Sequence, residues 1–92
     1  MQTLQLKPQH QDSVIGQMLK AKAAVNYYNA EILPNYKDMD VWEVNEYEVT
    51  NNANVAELER LEKYIIKHES VFNGLLFEYG YTVTAFLEKF IK

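Results

Sequence analysis

Apolar side chains between residues 54 and 79 recur at alternating steps of three and four positions. This spacing is typical of an α-helix that buries one stripe of side chains against a second helix. Asn54, followed by Glu57 three positions later, matches a capping box at the start of such a helix. We therefore predict a long helix over about residues 54–79, with a buried stripe of Leu58, Leu61, Ile65, His68, Phe72, Leu75 and Tyr79.

A second stripe with the same spacing precedes this one. Pro8 suits the first turn of a helix because its missing N–H costs nothing there, whereas Asp12 and Ser13 offer a later start. Pro34 is expected to end the helix, because the residue before a proline is displaced from the helical region. We predict a helix over about residues 9–32, with a stripe of Val14, Met18, Ala21, Val25, Tyr28 and Ile32.

The segment between these helices is ambiguous. Residues 41–50 read VWEVNEYEVT, and their β-branched and aromatic side chains favour a strand. The apolar residues do not alternate cleanly, however, and Asp40 with Glu43 matches another capping box, which favours a short helix. We treat residues 33–53 as an acidic, aromatic connector containing a short helix or irregular structure. A strand at about residues 41–49, in an α+β fold, is the alternative.

A third apolar repeat predicts a short C-terminal helix over about residues 83–91, with Thr82 as its cap. Gly80 is suited to follow the preceding helix, because glycine readily adopts the left-handed conformation found there. Asn73 and Gly74 are the weak point of that helix. We expect it to continue through them, because its stripe resumes in phase.

These elements predict an all-α fold built on a long antiparallel helical hairpin. The start of the first helix then meets the end of the second, and the C-terminal helix completes a three-helix core there. At the other end, Val25, Tyr28 and Ile32 are expected to face Leu58, Leu61 and Ile65. Trp42 and Val44, or a partner subunit, would cover that narrower end.

Length and composition agree with one folded domain over residues 1–92, of which residues 1–7 are expected to fray. The hydrophobic fraction is 48%, and three Gly and two Pro argue against a turn-rich β fold. The absence of cysteine excludes disulfides and thiolate metal sites and suits a reducing cytoplasm. No signal peptide is expected, and no segment approaches the roughly 20 apolar residues of a membrane span.

The net charge of −4 is concentrated in one block. Residues 38–59 contain no lysine or arginine, while the segments on either side are slightly basic. Such a block disfavours direct binding to a nucleic-acid backbone, which needs a basic surface, and it favours a protein partner with a basic surface. The acidic residues of the block are Asp38, Asp40, Glu43, Glu46, Glu48, Glu57 and Glu59.

No catalytic or metal-binding signature is present. His68 is the one polar residue of its stripe, and we interpret it as a packed side chain rather than a ligand or base. Ser70 is two positions away, which points the two side chains apart on a helix. Glycine-rich phosphate loops, GxSxG contexts and metal-ligand spacings are absent from the sequence. We therefore expect no enzyme activity, no cofactor and no metal.

Aromatic residues within the acidic block predict a binding surface, because Tyr and Trp frequently anchor protein interfaces. Tyr27 and Tyr64 are expected near the same end of the hairpin. The predicted partner-binding residues are Tyr36, Asp38, Asp40, Trp42, Glu43, Glu46, Tyr47 and Glu48.

These features suggest a small acidic binding protein that acts as an inhibitor by stoichiometric contact. Phages and mobile elements encode proteins of this type, anti-CRISPR proteins included, against host nucleic-acid-binding complexes. No motif supports that assignment. The alternative is a structural or assembly protein that forms a homodimeric helical bundle.

Overall fold

The computed structural model describes residues 4–92, and every regular element among them is helical. The predicted all-α class is confirmed, and the strand alternative at residues 41–49 is not needed because that segment lies within a helix. The elements are a 3₁₀ turn (Pro8–His10), α1 (Val14–Tyr27), a π turn (Tyr28–Ile32), a 3₁₀ segment (Leu33–Asp38), α2 (Val41–Lys67), α3 (Glu69–Phe77), α4 (Val83–Phe86) and a terminal π segment (Leu87–Ile91).

The first helix begins later than predicted. Pro8 starts a separate 3₁₀ turn, and Ser13 is the N-cap of α1, where its hydroxyl accepts from the N–H of Gly16. Of residues 1–7, which we expected to fray, residues 1–3 lie outside the described residues. Leu4 and Leu6 are half-buried and pack against the core.

Regular α-helix also ends earlier than predicted, at Tyr27, although the chain stays helical through Asp38. Pro34 is the physical reason. It lacks the N–H of a regular helical bond, and its ring clashes with the carbonyl four residues before it in an α-helix. The chain accommodates Pro34 by widening into the π turn before it and tightening into the 3₁₀ segment around it.

The predicted connector over residues 33–53 is wrong in its second half, which forms the first half of α2. The side chain of Asp40 caps this helix, accepting from the N–H of Glu43 at 2.9 Å. At about 1.5 Å per residue, α2 is about 40 Å long, and it dominates the 46 Å length of the molecule. Capping and packing against α1 outweigh the β propensity of the apolar residues.

The second predicted helix is interrupted at His68, whose φ and ψ of −111° and 38° separate α2 from α3. The break changes which side chains reach the core. Leu76 is fully buried where Leu75 was predicted, and Leu75 is only partly buried. The predicted continuity through Asn73 and Gly74 is confirmed, because both lie inside α3.

A hydrogen-bonded turn connects α3 to α4. The N–H of Gly80 donates to Phe77 O at 3.0 Å, and that of Tyr81 donates to Leu76 O at 3.2 Å. Gly80 has a φ of 79°, so it occupies the left-handed position predicted for it. Thr82 then caps α4, and the side chain of Asn73 accepts from the N–H of Val83 at 2.7 Å. These bonds hold α4 against α3.

The main core lies at the end of the hairpin where α1 begins, as predicted. It joins α1, the second half of α2, α3, α4 and the terminal π segment. Leu4, Leu6, Val14 and Leu19 are among the side chains that cover its edge. The clustered buried residues are Ile15, Met18, Leu61, Ile65, Phe72, Leu76, Val83, Phe86, Leu87, Phe90 and Ile91.

The other end of the hairpin has a different register from the predicted one. Tyr28 and Ile32 lie opposite Tyr47, Asn51 and Asn54 rather than Leu58, Leu61 and Ile65. The reason is the early start of α2, which turns back immediately after the 3₁₀ segment. Trp42 does not cover this end, since 81% of its surface is exposed.

Candidate functional site: an acidic, aromatic end of the hairpin

The predicted partner-binding residues all lie at the end of the hairpin opposite the core. We call residues 36–50 the acidic end. Trp42 and Val49 are 81% and 61% exposed there. Because they are seven positions apart on α2, they lie on one side of the helix, with Glu46 between them. The outer side of the acidic end therefore presents apolar surface beside a carboxylate.

The remaining predicted residues divide between the two flanks of α2. Glu43, Glu46 and Tyr47 line a concavity on one flank together with Thr50. Glu48 and Tyr36 line a groove on the other flank together with Lys37, Met39, Val41, Val44 and Asn45. Asp38 ends the 3₁₀ segment and Asp40 caps α2. The structure thus brings the predicted residues to one end but not to one face.

A pair of tyrosines closes the turn at this end. The hydroxyls of Tyr28 and Tyr36 are hydrogen-bonded, and the two rings meet edge to face at 6.0 Å between centroids. Desolvation, assisted by the hydrogen bond with Tyr28, raises the pKa of Tyr36 to about 12. The hydroxyl of Tyr36 therefore stays neutral at physiological pH, and the pair ties the 3₁₀ segment to the π turn.

The carboxylates on α2 at this end have no ionic partner within the described chain. Glu43, Glu46 and Glu48 form no ion pair with a basic side chain of residues 4–92. Elsewhere Glu57 pairs with Arg60 at 2.6 Å, and Glu62 pairs with Lys92 at 3.4 Å. The hydrogen bond from Arg60 lowers the pKa of Glu57. These three carboxylates of the acidic end therefore remain without an ion pair within residues 4–92.

A cleft of about 260 Å³ opens beside the acidic end, between α1 with its π turn and α2. The rings of Tyr27, Tyr28 and Tyr47 line it, together with Ile32 and Asn51. Sequence reasoning placed Tyr28 and Ile32 in a buried stripe and Asn51 in the connector before the second helix. Helical spacing alone contains no signal for a cleft, because its position depends on the register of α1 against α2.

Tyr64, expected near this end, lies instead at the core end. Its ring is 4.6 Å from that of His68 and 5.9 Å from that of Phe72, between centroids. His68 itself is half-buried, and its backbone completes the turn between α2 and α3. The backbone conformation at this break and the ring contact with Tyr64 are consistent with the interpretation of His68 as a packed residue.

His10 has a structural role that the sequence did not indicate. Its Nδ1 lies 2.6 Å from the hydroxyl of Tyr79, which also accepts from the N–H of Lys7 at 3.0 Å. Glu78 adds contacts with Lys7 and His10 at 3.4 and 3.7 Å. These contacts hold the N-terminal segment against the end of α3. Within residues 4–92, no group of three or more potential metal ligands is placed around a common point.

The helices of residues 4–92 include none with the combined length and apolar character required to cross a bilayer. Comparison with protein-family models, curated proteins and solved structures found no match to the chain.

Proposed function

We propose that this protein is a protein-binding domain that acts by stoichiometric contact, with the acidic end holding a partner that has a basic surface. The exposure of Trp42 is the observation that carries the proposal. Because 81% of its surface is in water, Trp42 has a large apolar area that a partner can bury with a gain in free energy. Tryptophan is also the residue type most enriched among interface side chains that dominate binding energy.

The unpaired carboxylates around Trp42 support the same function. Glu43 and Glu46 are exposed and carry charge that no basic side chain of the described residues offsets. Complementary charge accelerates association and selects the partner more than it increases affinity. The acidic end thus combines an apolar side chain that can anchor a partner with charged residues around it. Protein interfaces commonly have this arrangement of an apolar centre and a polar rim.

A narrower proposal concerns the class of partner. Proteins that bind nucleic acids present Lys and Arg surfaces, which an acidic protein can occupy in place of the phosphate backbone. We propose that the protein inhibits such a complex in the cytoplasm, as phage and mobile-element inhibitors of the anti-CRISPR type do. This narrower proposal is supported by charge alone. It predicts that nucleic acid competes with the protein for the partner.

The test uses two sets of charge reversals that change net charge equally. One variant carries Glu43→Lys, Glu46→Lys and Glu48→Lys. Its control carries Glu59→Lys, Glu69→Lys and Glu88→Lys, three exposed acidic residues outside the acidic end that also have no ion pair among the described residues. Proteins captured from the source cytoplasm by the parent and by the control, but lost with the first variant, identify the partner.

Association kinetics with that partner then separate the two contributions. The first triple variant is expected to associate at least about tenfold more slowly than the control at low ionic strength, with a smaller difference at high salt. Trp42→Ala is expected to cost about 2 kcal/mol or more, mainly through faster dissociation. Equal binding by both triple variants would contradict the proposal.

A homodimeric helical bundle is the second candidate, and the exposed side chains of Val41, Trp42 and Val49 favour it. In that case the outer side of α2 would form the seam between two copies. Light scattering at micromolar concentration distinguishes the candidates. A dimer that dissociates on Trp42→Ala supports assembly, and a folded monomer supports partner binding.

A further inference from the structure

The exposed side of α1 beside the cleft has a self-complementary order of side chains. Four exposed residues follow one another there at steps of four, three and four positions, so they form one stripe along α1 and its π turn. These residues, which we call the α1 stripe, are Lys20, Ala24, Tyr27 and Glu31. The stripe is basic, small, aromatic and acidic in that order, and its steps are the same when read from either end. A second copy laid antiparallel therefore opposes unlike charges at both ends and a small side chain to a ring in the middle.

The middle of the α1 stripe borders the apolar cleft between α1 and α2. Ala24 and Tyr27 are exposed residues of the cleft lining on the α1 side, and Tyr47 and Thr50 are exposed on the α2 side, so these four form its mouth. Tyr27 exposes 59% of its surface next to this space of about 260 Å³. An aromatic ring that covers the mouth removes apolar surface from water on both sides of the contact, which is favourable.

The two charged residues of the α1 stripe are available to a second copy. Glu31 forms no ion pair within residues 4–92. The ion pair of Lys20 is with Asp12 at 4.0 Å, and both side chains are largely exposed, so it contributes little to stability. At about 1.5 Å per residue, Lys20 and Glu31 are about 15 Å apart along the helix. They therefore do not pair with each other within one chain.

We propose that two copies of the chain associate through the α1 stripe. Their α1 helices run antiparallel about a two-fold axis between Ala24 and Tyr27. Each Tyr27 ring then lies over Ala24 of the other copy and over the mouth of its cleft, and two equivalent ion pairs join Lys20 of one copy to Glu31 of the other. A second copy suits this surface better than an unrelated apolar partner, because the symmetry matches the charges at both ends of the stripe at once.

This pairing is independent of the proposed function. The α1 stripe contains no residue of the acidic end, and it differs from the outer side of α2, where Val41, Trp42 and Val49 are exposed. The acidic end lies beyond Glu31 in the direction in which α1 runs. Antiparallel copies therefore point their acidic ends in opposite directions, so that one dimer presents an acidic end on each of two sides.

Charge reversal on the α1 stripe tests the pairing. Lys20→Glu brings like charges together at both symmetric contacts, and so does Glu31→Lys. Each is expected to raise the dissociation constant of the dimer at least about tenfold. Lys22→Glu is the control, because it changes the net charge as Lys20→Glu does but lies two positions away, on a different side of α1. Sedimentation equilibrium from low to high micromolar concentration measures the four proteins, and circular dichroism confirms that each is folded. The parent and the control are expected to be dimers.

Mixing the two reversal variants is the sharpest measurement. In a mixed dimer of Lys20→Glu with Glu31→Lys, each contact again joins a glutamate to a lysine, so the mixture is expected to regain the mass of a dimer. A fluorescently labelled Glu31→Lys chain should enter dimers with Lys20→Glu at least about tenfold more tightly than with Lys22→Glu, since only the first combination restores both contacts. General attraction cannot produce this difference, because the two unlabelled variants have the same net charge.

A change of size at the middle of the α1 stripe gives a second test. Ala24→Trp fills the place that we assign to the Tyr27 ring of the other copy and should abolish pairing. Ala85→Trp, at an exposed position of α4, should not. A parent chain that remains monomeric at high micromolar concentration would overturn the inference. So would a dimer that dissociates on Trp42→Ala and persists in Lys20→Glu, because its seam would lie on the outer side of α2.

Discussion

Where α1 begins, Ile15, Leu76 and Phe86 have no exposed surface, whereas at the opposite end of the hairpin Trp42 is 81% exposed. The core end joins several helical elements, and its N-terminal segment is held by hydrogen bonds to Tyr79. The acidic end consists of one helix turning back on another. It contains an open cleft, a buried acceptor without a partner and carboxylates without counter-charges.

This difference shows how a small domain can tolerate features at one end that lower its free energy of unfolding. The open cleft and the buried acceptor of the acidic end cost stability, and none of the residues that form these two features belongs to the clustered core. A domain of this size has only about 5–15 kcal/mol of stability in total. Concentrating the clustered core at one end lets the other end retain groups that contribute little to folding.

The largest expected effect comes from truncating one buried side chain at each end. Phe86→Ala removes a fully buried ring from the core and is expected to cost about 3–5 kcal/mol. Ile32→Ala should cost about 2 kcal/mol, because Ile32 already borders the open cleft. Urea unfolding followed by circular dichroism measures both. Equal costs would mean that the two ends contribute equally to stability.

Two glycines give the next largest contrast. A Cβ on Gly16 would lie 2.0 Å from the backbone oxygen of Gln11, so Gly16→Ala must displace the turn before α1 and should cost about 1–3 kcal/mol. A Cβ on Gly74 would meet nothing within 4 Å. Gly74→Ala should therefore stabilise α3 by about 0.5–1 kcal/mol. Thermal unfolding compares the two, and a destabilising Gly74→Ala would argue against a continuous α3.

Removing one hydroxyl tests the attachment of the N-terminal segment to the core end. Tyr79→Phe keeps the ring but removes the partner of the Lys7 N–H and of His10 Nδ1. The expected cost is about 1 kcal/mol, with faster amide exchange at Lys7. Tyr64→Phe is the control, because the described contacts of Tyr64 are made by its ring. Unchanged exchange at Lys7 would show that Leu4 and Leu6 hold the segment alone.

The smallest expected effect is at His68. Its side chain is half-buried beside Tyr64, and the turn between α2 and α3 depends on its backbone. His68→Gln is expected to change stability by less than about 1 kcal/mol and to leave partner binding unaltered. Loss of binding in a variant that melts normally would move the functional surface away from the acidic end.

Much of the fold was predictable because its signals are local. Ser13, Asp40 and Thr82 each cap a helix through a neighbouring N–H, and Gly80 ends α3 in the left-handed conformation. The three-helix core followed from the widening of the apolar stripes. The break at His68 was not predictable, because the stripe continues in phase across it.

The candidate site was predictable in composition but not in geometry. A block without basic residues that contains Trp42 and Tyr47 is visible in the sequence, and both residues do lie at one end of the hairpin. Their division between the flanks of α2 depends on where that helix begins. The capping signal at Asp40 favours a helix, whereas the β propensity of residues 41–50 favours a strand. Local sequence rules alone could not decide between the two.

The sequence by itself therefore determined the helical class, most of the caps and the acidic composition of one end, since these depend on residues within a few positions of one another. Tertiary structure decided the register of α1 against α2. That register in turn determines the cleft, the exposure of Trp42 and the lack of a hydrogen-bond partner for Asn51 Oδ1. The reason is that register depends on contacts between residues far apart in the chain. A shift of a few residues in the start of α2 changes all of those contacts together.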